Sequence, residues 1–108
     1  MDSLKKILES TGIPAERGVY TGKEKPEAYY TFLRITRDKP IAADDKGAEV
    51  REKWRVTLFQ KGDFEEQLNK ATEALEAAGA YVQPLGAESY EKETGYWMVP
   101  IDIEILKE

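Results

Sequence analysis

The 108-residue sequence contains no histidine and no cysteine. Without histidine it lacks the usual general base near neutral pH, and without cysteine it lacks disulfides, thiolate metal sites and thiol nucleophiles. A serine–lysine nucleophile is open in principle, but nothing in the sequence places the two residues together in a strained turn. The patterns GxGxxG and GxxxxGK[ST] do not occur, so no phosphate-binding loop is predicted. We therefore expect no enzymatic activity, no catalytic residue, no bound metal and no cofactor.

Long apolar runs are also missing. No stretch approaches the roughly 20 apolar residues that cross a bilayer. The segment Met1–Ser10 lacks the apolar core of a signal peptide, so we expect a cytoplasmic protein without membrane contact. The net charge of -5 argues against direct nucleic-acid binding, which depends on Lys and Arg neutralising phosphates. The length and the 41% hydrophobic content predict one soluble domain over residues 1–108.

Two helices are predicted from apolar spacing. The first covers about residues 3–11, with Asp2 or Ser3 as its cap and Gly12 as its end. The second begins at Asp63 and ends at Gly79. Its apolar stripe recurs at steps of three and four residues and comprises Phe64, Leu68, Ala71, Leu75 and Ala78.

Strands are predicted over residues 28–36, 49–61 and 96–106, with a shorter one starting at Ala80. In the second of these, one predicted face carries Val50, Trp54, Val56 and Leu58, with Glu52 as a charged exception. Loops are expected over residues 14–27, with a short extended piece at Val19-Tyr20, and over residues 37–48. Pro100 cannot donate to a ladder, so its nitrogen is expected to face an edge or a bulge.

These elements predict an α+β fold in the order α-β-β-α-β-β. We expect a mainly antiparallel sheet of about four strands with two helices on one face, the simplest way to bury both apolar surfaces.

Several acidic groups suggest chemistry at first. Asp44-Asp45 resembles the start of a calcium loop, but the alternate positions that follow hold Lys46, Ala48 and Val50, which offer no side-chain oxygen. A solvated turn is the favoured interpretation. The pairs Glu65-Glu66 and Glu91–Glu93 lie in strongly polar stretches, so exposed surface is favoured over acid–base catalysis.

A basic stripe of Arg51, Lys53 and Arg55 is predicted on one face of the strand over residues 49–61. Nucleic-acid binding would use Phe59 and Tyr30 as stacking groups. The favoured interpretations are a solvated face, or a face that meets an acidic partner. In a self-complementary variant, the stripe meets Asp102 and Glu104 of a neighbouring copy, which would add specificity more than affinity.

The aromatic residues divide between core and surface. Trp54 and Trp97 are expected to anchor the core. A small domain is not expected to bury all of its tyrosines, so some of them are predicted at an interface, where tyrosine is enriched. The tyrosines in question are Tyr29, Tyr30, Tyr90 and Tyr96.

Motifs along most of the chain resemble small phage and prophage proteins of the head–tail joining, tail-completion or tail-terminator kind. They are SLKKILESTGIP (Ser3–Pro14), YYTFLRI (Tyr29–Ile35), the turn AADDK (Ala42–Lys46), WRVTLFQK (Trp54–Lys61), the helix ending in AAGAYV (Ala77–Val82), and PIDIEI (Pro100–Ile105). The chain departs from the resemblance before the acidic turn, where similar proteins often carry aromatics and this one has Ile41-Ala42.

The resemblance implies a non-enzymatic virion assembly protein. It implies self-association, often as a hexameric ring, and contact with tail-tube or head-connector proteins in the host cytoplasm during assembly. We expect residues 37–48 and the hairpin Glu88–Gly95 to meet neighbouring subunits. The possible interface residues are Ile41, Asp44, Asp45, Arg51, Lys53, Arg55 and Tyr90.

Two other functions stay open. A small cytoplasmic adaptor or inhibitor module fits the acidic charge and the surplus of tyrosines, which suit a basic protein partner. An enzyme built on carboxylates and lysines would need a deep pocket of acids with strongly perturbed pKa values.

Overall fold

A computed structural model describes residues 3–22, 24–38, 50–83 and 86–107. The elements in chain order are α1 (Leu4–Glu9), β1 (Ala15–Arg17), β2 (Ala28–Asp38), β3 (Val50–Lys61), α2 (Glu65–Ala77), β4 (Tyr81–Val82), β5 (Ser89–Glu91) and β6 (Tyr96–Lys107).

The six strands form one sheet in the order β1-β2-β3-β6-β4, and β5 pairs with β6 as well. β2, β3 and β6 are joined by long antiparallel ladders, whereas β1 runs parallel to β2. The mixed α+β class and the mainly antiparallel sheet agree with the sequence. The expected count of about four strands and the expected order α-β-β-α-β-β were wrong, because β1 lies within the predicted loop over residues 14–27 and β5 within the polar segment before Gly95. Strands of three residues are too short for a period of two to stand out.

Both helices contribute to one core with one face of the sheet, called here the helix face. Its members from β3 and β6 alternate along each strand, as expected for a sheet with one buried side. The core comprises Leu4, Ile7, Leu8, Ala15, Tyr30, Phe32, Trp54, Val56, Leu58, Phe64, Leu68, Ala71, Leu75, Ala80, Val99, Ile101, Ile103 and Ile105. The opposite side of the sheet is called the outer face.

The helix ends follow the sequence signals with small shifts. Ser3 caps α1 by accepting a hydrogen bond from the Lys6 N–H. Phe64 occupies the N-cap position of α2 without a side-chain hydrogen bond. The carboxylate of Asp63, one residue earlier, accepts from the Glu65 N–H at 3.1 Å. Gly79 follows α2 with φ of 97°, the left-handed conformation that glycine adopts without steric cost. Neither of these two helices, in the part of the chain that the structure describes, is long and apolar enough to cross a membrane.

The molecule is elongated. Its radius of gyration is 15.0 Å, against about 13 Å for a compact domain of this size, and its long dimension is 52 Å. Strands of 12 residues contribute most of this length, at about 3.3 Å per residue. Tyr29 to Phe32 of β2 are buried, whereas residues 33–38 are exposed and pair only with β3 among the described residues. The end of β2 is therefore an exposed edge of the described sheet.

Pro100 occupies a position where its missing N–H costs little. The Asp102 carbonyl accepts from the Gln83 N–H, so the backbone groups of Asp102 point away from β3. Because the direction repeats every second residue, the Pro100 nitrogen points to the same side, between the stretches that pair with β5 and with β4. This agrees with the expectation that Pro100 faces an edge.

Candidate protein-interaction surfaces

The outer face carries ion pairs between β3 and β6. Arg55 donates two hydrogen bonds to the carboxylate of Asp102, at 2.8 and 3.0 Å, in a bidentate arrangement. Arg51 Nε lies 3.5 Å from Glu104 Oε1, and Glu104 also accepts from Gln83 at 3.0 Å. The basic stripe thus meets its acidic row within one chain, since β6 lies directly beside β3. This corrects the hypothesis that Asp102 and Glu104 serve a neighbouring copy.

The predicted interface residues of β3 nevertheless face solvent. Arg51, Lys53 and Arg55 are exposed on the outer face, and the side chains of Arg51 and Arg55 each keep half of their surface accessible. Each bound guanidinium still has N–H groups available for a partner. The stripe is therefore accessible to another protein, and its role at an interface stays a prediction.

The Arg55–Asp102 pair shifts both pKa values in the direction of the charged forms. Hydrogen bonds from Arg55, helped by its positive charge, lower the pKa of Asp102 against the opposing effect of burial. The same hydrogen bonds and the Asp102 charge raise the pKa of Arg55. Since both groups are substantially exposed, the pair orders the outer face more than it stabilises the fold.

Apolar side chains border these charges. In the strand register Leu33 lies opposite Arg55, Leu106 opposite Arg51 and Tyr81 opposite Glu104, so all share the outer face. Leu33, Leu106 and Tyr81 are 46%, 58% and 71% exposed. Apolar side chains among polar and charged groups are the usual composition of a protein–protein contact surface.

At the other end of the outer face, four rings form an aromatic cluster: Tyr20, Tyr29, Phe59 and Tyr96. Tyr29 stacks on Phe59 with centroids 4.7 Å apart and meets Tyr96 edge-on at 5.5 Å. The Tyr96 hydroxyl donates to the Pro26 carbonyl at 2.6 Å. Burial raises the pKa of both Tyr29 and Tyr96. This cluster fastens the segment between β1 and β2 onto the sheet.

A cavity of about 250 Å³ lies beside the aromatic cluster. Of the described residues that line it, Lys25 is the one cation and Glu91 the one carboxylate. General acid–base catalysis by paired carboxylates needs two acids in one pocket with separated pKa values, and this lining does not supply them. No group of three or more acidic side chains within the described ranges is placed to hold a metal ion.

The nucleic-acid hypothesis loses one of its two stacking groups. Tyr30 lies on the helix face, opposite to the basic stripe, and is fully buried. Its hydroxyl is 2.9 Å from Thr11 Oγ1 and accepts from Gln67 at 2.9 Å. Burial raises its pKa, while the hydrogen bonds to Thr11 and Gln67 partly oppose the shift. Tyr30 is therefore a core residue that joins the first helix, the sheet and the second helix.

As expected, the four tyrosines are not all buried, although three of them are. Tyr29, Tyr30 and Tyr96 are all buried, because the two faces of the sheet divide them between two separate aromatic environments. Tyr90 is 52% exposed, and its ring lies 4.9 Å from that of Trp97. Trp97 is only partly buried at the margin of the core, whereas Trp54 is fully within it.

On the helix face, a buried carboxylate organises the exposed end of β2 and β3. Glu52 is 1% exposed, and its Oε1 accepts from the Trp54 indole N–H at 2.9 Å. Its Oε2 lies 3.3 Å from Arg34 Nη1 and 3.4 Å from Arg37 Nε. The guanidinium carbons of Arg17 and Arg34 lie 4.9 and 5.7 Å from the centroid of the Trp54 ring. Arg17, Arg34 and Arg37 are called here the arginine cluster.

A β-bulge brings two of these arginines to one face. In a regular strand Arg34 and Arg37, three residues apart, would point to opposite sides. The β2–β3 register shifts between Arg34 and Thr36, which leaves Ile35 as an extra residue and sets Arg37 opposite Glu52. Both guanidiniums therefore reach the same carboxylate.

Sequence reasoning did not identify the arginine cluster. The available signal was Glu52, the charged exception on an otherwise apolar strand face, because a buried carboxylate requires cationic partners. Of the predicted interface residues, Ile41, Asp44 and Asp45 lie outside the described residues. The remaining ones fall on two surfaces, with Arg51, Lys53 and Arg55 on the outer face and Tyr90 on the hairpin beside β6.

Comparisons with known proteins identify a fold but no family. No family model matches the chain, and no curated protein matches it. Among solved structures, it resembles a chain from the virion of a native gene transfer agent particle, with a TM-score of 0.58 and 12% sequence identity. The match covers 93% of this chain and 83% of the other. At this identity the likeness concerns the fold.

Proposed function

We propose that the chain is a non-enzymatic structural component of a phage-like virion, acting in tail completion, tail termination or head–tail joining. The observation that carries the proposal is the fold likeness to a chain of a gene transfer agent virion, over 93% of this chain. Nearly the whole molecule takes part in that likeness, so it does not rest on one common supersecondary motif.

The shape of the molecule is consistent with a function based on protein–protein contacts. The end of β2 is exposed and pairs with the start of β3 at one edge of the described sheet. The hairpin Glu88–Gly95 lies beside β6, at the edge of β6 that faces away from β3. One subunit thus offers two separate surfaces to its neighbours.

In the proposed mechanism, copies join through these two different surfaces. A contact between unlike surfaces closes into a ring when its rotation permits, and a hexameric ring is the form we expect. The ring would sit on the tail tube or on the head connector, with assembly in the host cytoplasm and incorporation into the virion. The outer face around Arg51, Lys53 and Arg55 would meet those partners.

Deletion of the gene in a strain that produces the particles tests the proposal. Negative-stain microscopy should show filled heads without tails if the protein joins head to tail, or tails of uncontrolled length if it ends the tube. Mass spectrometry of purified wild-type particles should detect the protein. Normal particles after deletion, and no protein in wild-type particles, would reject a virion role. Recovery of a single host protein in a pull-down would instead favour an adaptor or inhibitor.

A further inference from the structure

We propose that the arginine cluster of one copy binds the carboxylates of segment Glu88–Glu93 on a second copy, joining subunits head to tail. The inference rests on the proposed function, because it names the partner surface within the assembly. It involves Arg17, Arg34 and Arg37 on one side of the contact and Glu88, Glu91 and Glu93 on the other.

Counted over the described residues, the arginine cluster has more positive charge than its ion pairs neutralise. Arg34 and Arg37 share the carboxylate of Glu52, and Arg17, over the Trp54 ring, has no ion pair with any described residue. Arg34 and Arg37 keep 37% and 57% of their side-chain surface accessible. Guanidinium N–H groups that are exposed and already oriented bind carboxylates with little further ordering.

The guanidiniums are held in place before any partner arrives. Glu52 is buried and fixed by the Trp54 indole N–H, and the Trp54 ring lies against Arg17 and Arg34. An ordinary exposed arginine loses side-chain entropy when it binds, and this arrangement reduces that loss. The arginine cluster therefore differs from the scattered surface lysines of the chain.

The second surface is acidic and equally ordered. Segment Glu88–Glu93 carries three carboxylates against the single ammonium of Lys92, and its residues are exposed. β5 holds part of the segment against β6, and the Tyr90 ring packs on Trp97. The Glu91 carboxylate accepts from the Thr94 hydroxyl at 2.7 Å, which fixes the turn that follows.

Within one chain these two surfaces do not meet. β3 and β6 separate β2 from β5, so the surfaces are at least three strand spacings apart, roughly 14 Å, and they are also displaced along the strands. The opposite charges of the two surfaces can therefore pair only between copies. Each copy then supplies one basic and one acidic surface, the heterologous arrangement from which rings are built.

Charge reversal with a mixing test examines the contact. Arg17→Glu alters the basic surface without removing a partner of Glu52, and Glu88→Lys/Glu93→Lys alters the acidic surface alone. Lys70→Glu on α2 is the matched control for charge, since Lys70 forms only an exposed pair with Glu66. Sedimentation velocity over a concentration series measures self-association of each protein, and near-UV circular dichroism checks its fold.

We expect Arg17→Glu and the Glu88→Lys/Glu93→Lys variant each to weaken self-association by about tenfold or more, with Lys70→Glu close to wild type. An equimolar mixture of the two weakened proteins should restore association, because the unaltered acidic segment of Arg17→Glu can bind the unaltered arginine cluster of the other variant. The wild-type affinity should fall as salt is raised from 50 to about 300 mM.

Any one of four results would overturn the inference. One is equal behaviour of Arg17→Glu and Lys70→Glu, and another is failure of the mixture to recover. The third is loss of binding to duplex DNA in Arg17→Glu with self-association unchanged, which would assign the arginine cluster to phosphates. A wild-type protein that stays monomeric also rejects the head-to-tail contact, while its presence in particles would still uphold the virion role.

Discussion

Two arginine–carboxylate arrangements lie on opposite faces of the same strand and differ in what they do. On the helix face, Glu52 is 1% exposed and has two arginines and an indole N–H around it. On the outer face, the Asp102 side chain is 36% exposed and pairs with Arg55 alone among the described residues, in better bidentate geometry. The Arg55–Asp102 pair has the better hydrogen-bond geometry but is expected to contribute less to stability. The cost of leaving a charge unpaired increases with its burial, and Glu52 is the more buried carboxylate. We expect Glu52 to be essential to the fold and Asp102 to be dispensable.

Loss of the buried carboxylate should have the largest effect. Glu52→Ala leaves the Trp54 indole N–H without this acceptor and sets Arg34 and Arg37 side by side without their shared counter-charge. Since Arg34 and Arg37 are partly exposed and the indole N–H is the buried group left unsatisfied, the free energy of unfolding should fall by about 2–3 kcal/mol in urea denaturation. Glu52→Gln keeps an acceptor for the indole and should cost less than Ala. A loss below about 1 kcal/mol for Glu52→Ala would show that water replaces the carboxylate.

Removal of one hydroxyl from the helix face comes next. Tyr30→Phe retains the ring and deprives Thr11 and Gln67 of their shared partner, so we expect a loss of about 1–2 kcal/mol. Tyr90→Phe is the matched control on an exposed ring and should change stability by less than about 0.5 kcal/mol. Equal effects of the two substitutions in thermal or urea unfolding would contradict the role given to the Tyr30 hydroxyl.

Tyr29, the neighbour of Tyr30 in β2, tests whether the aromatic cluster on the outer face stabilises the fold. A double-mutant cycle with Tyr29→Leu and Phe59→Leu should give a coupling energy of about 1 kcal/mol for the stacked pair. Proteolysis between β1 and β2 should also become faster in both single variants, because the aromatic cluster holds that segment. Additive effects in the cycle would mean that the two rings contribute only buried area.

The exposed ion pair should give the smallest effect. A cycle of Arg55→Ala and Asp102→Ala should yield a coupling of about 0.2–1 kcal/mol that decreases with salt. Because the folded pKa of Asp102 lies below its ordinary value of 3.8, the contribution is complete above that pH. It is lost as the pH falls through the lower, folded pKa. A coupling that persists in acid would require another origin.

Sequence reasoning predicted the regular parts of the fold and missed what depends on distant pairing. The alternation of apolar and polar residues in β3 assigned the correct face to Trp54, Val56 and Leu58, because one side of this strand is buried. The apolar stripe of α2 was predicted for the same reason. The partners of Arg55 and Glu52 depend on which strands become neighbours. Asp102 is 47 residues from Arg55, and no local pattern encodes that distance.

The residues of the candidate surfaces also divide into those that the sequence could predict and those that it could not. Exposure of Arg51, Lys53 and Arg55 follows from the period of two, so it could be predicted from sequence. The convergence of Arg34 and Arg37 depends on the bulge at Ile35, and a one-residue register shift leaves no compositional signature. Arg17 reaches Trp54 only because β1 pairs parallel to β2, in a segment too short to be recognised as a strand.

Pro100 interrupts the edge of β6 between the two stretches that pair with β5 and with β4. β6 is one of the longest strands, and an unbroken free edge along it would template pairing with strands of other molecules. Because the Pro100 nitrogen faces that edge and carries no hydrogen, a foreign strand cannot form a continuous ladder there. The sheet can thus keep a 12-residue strand whose edge is interrupted near its middle, which lowers the tendency to seed a fibre.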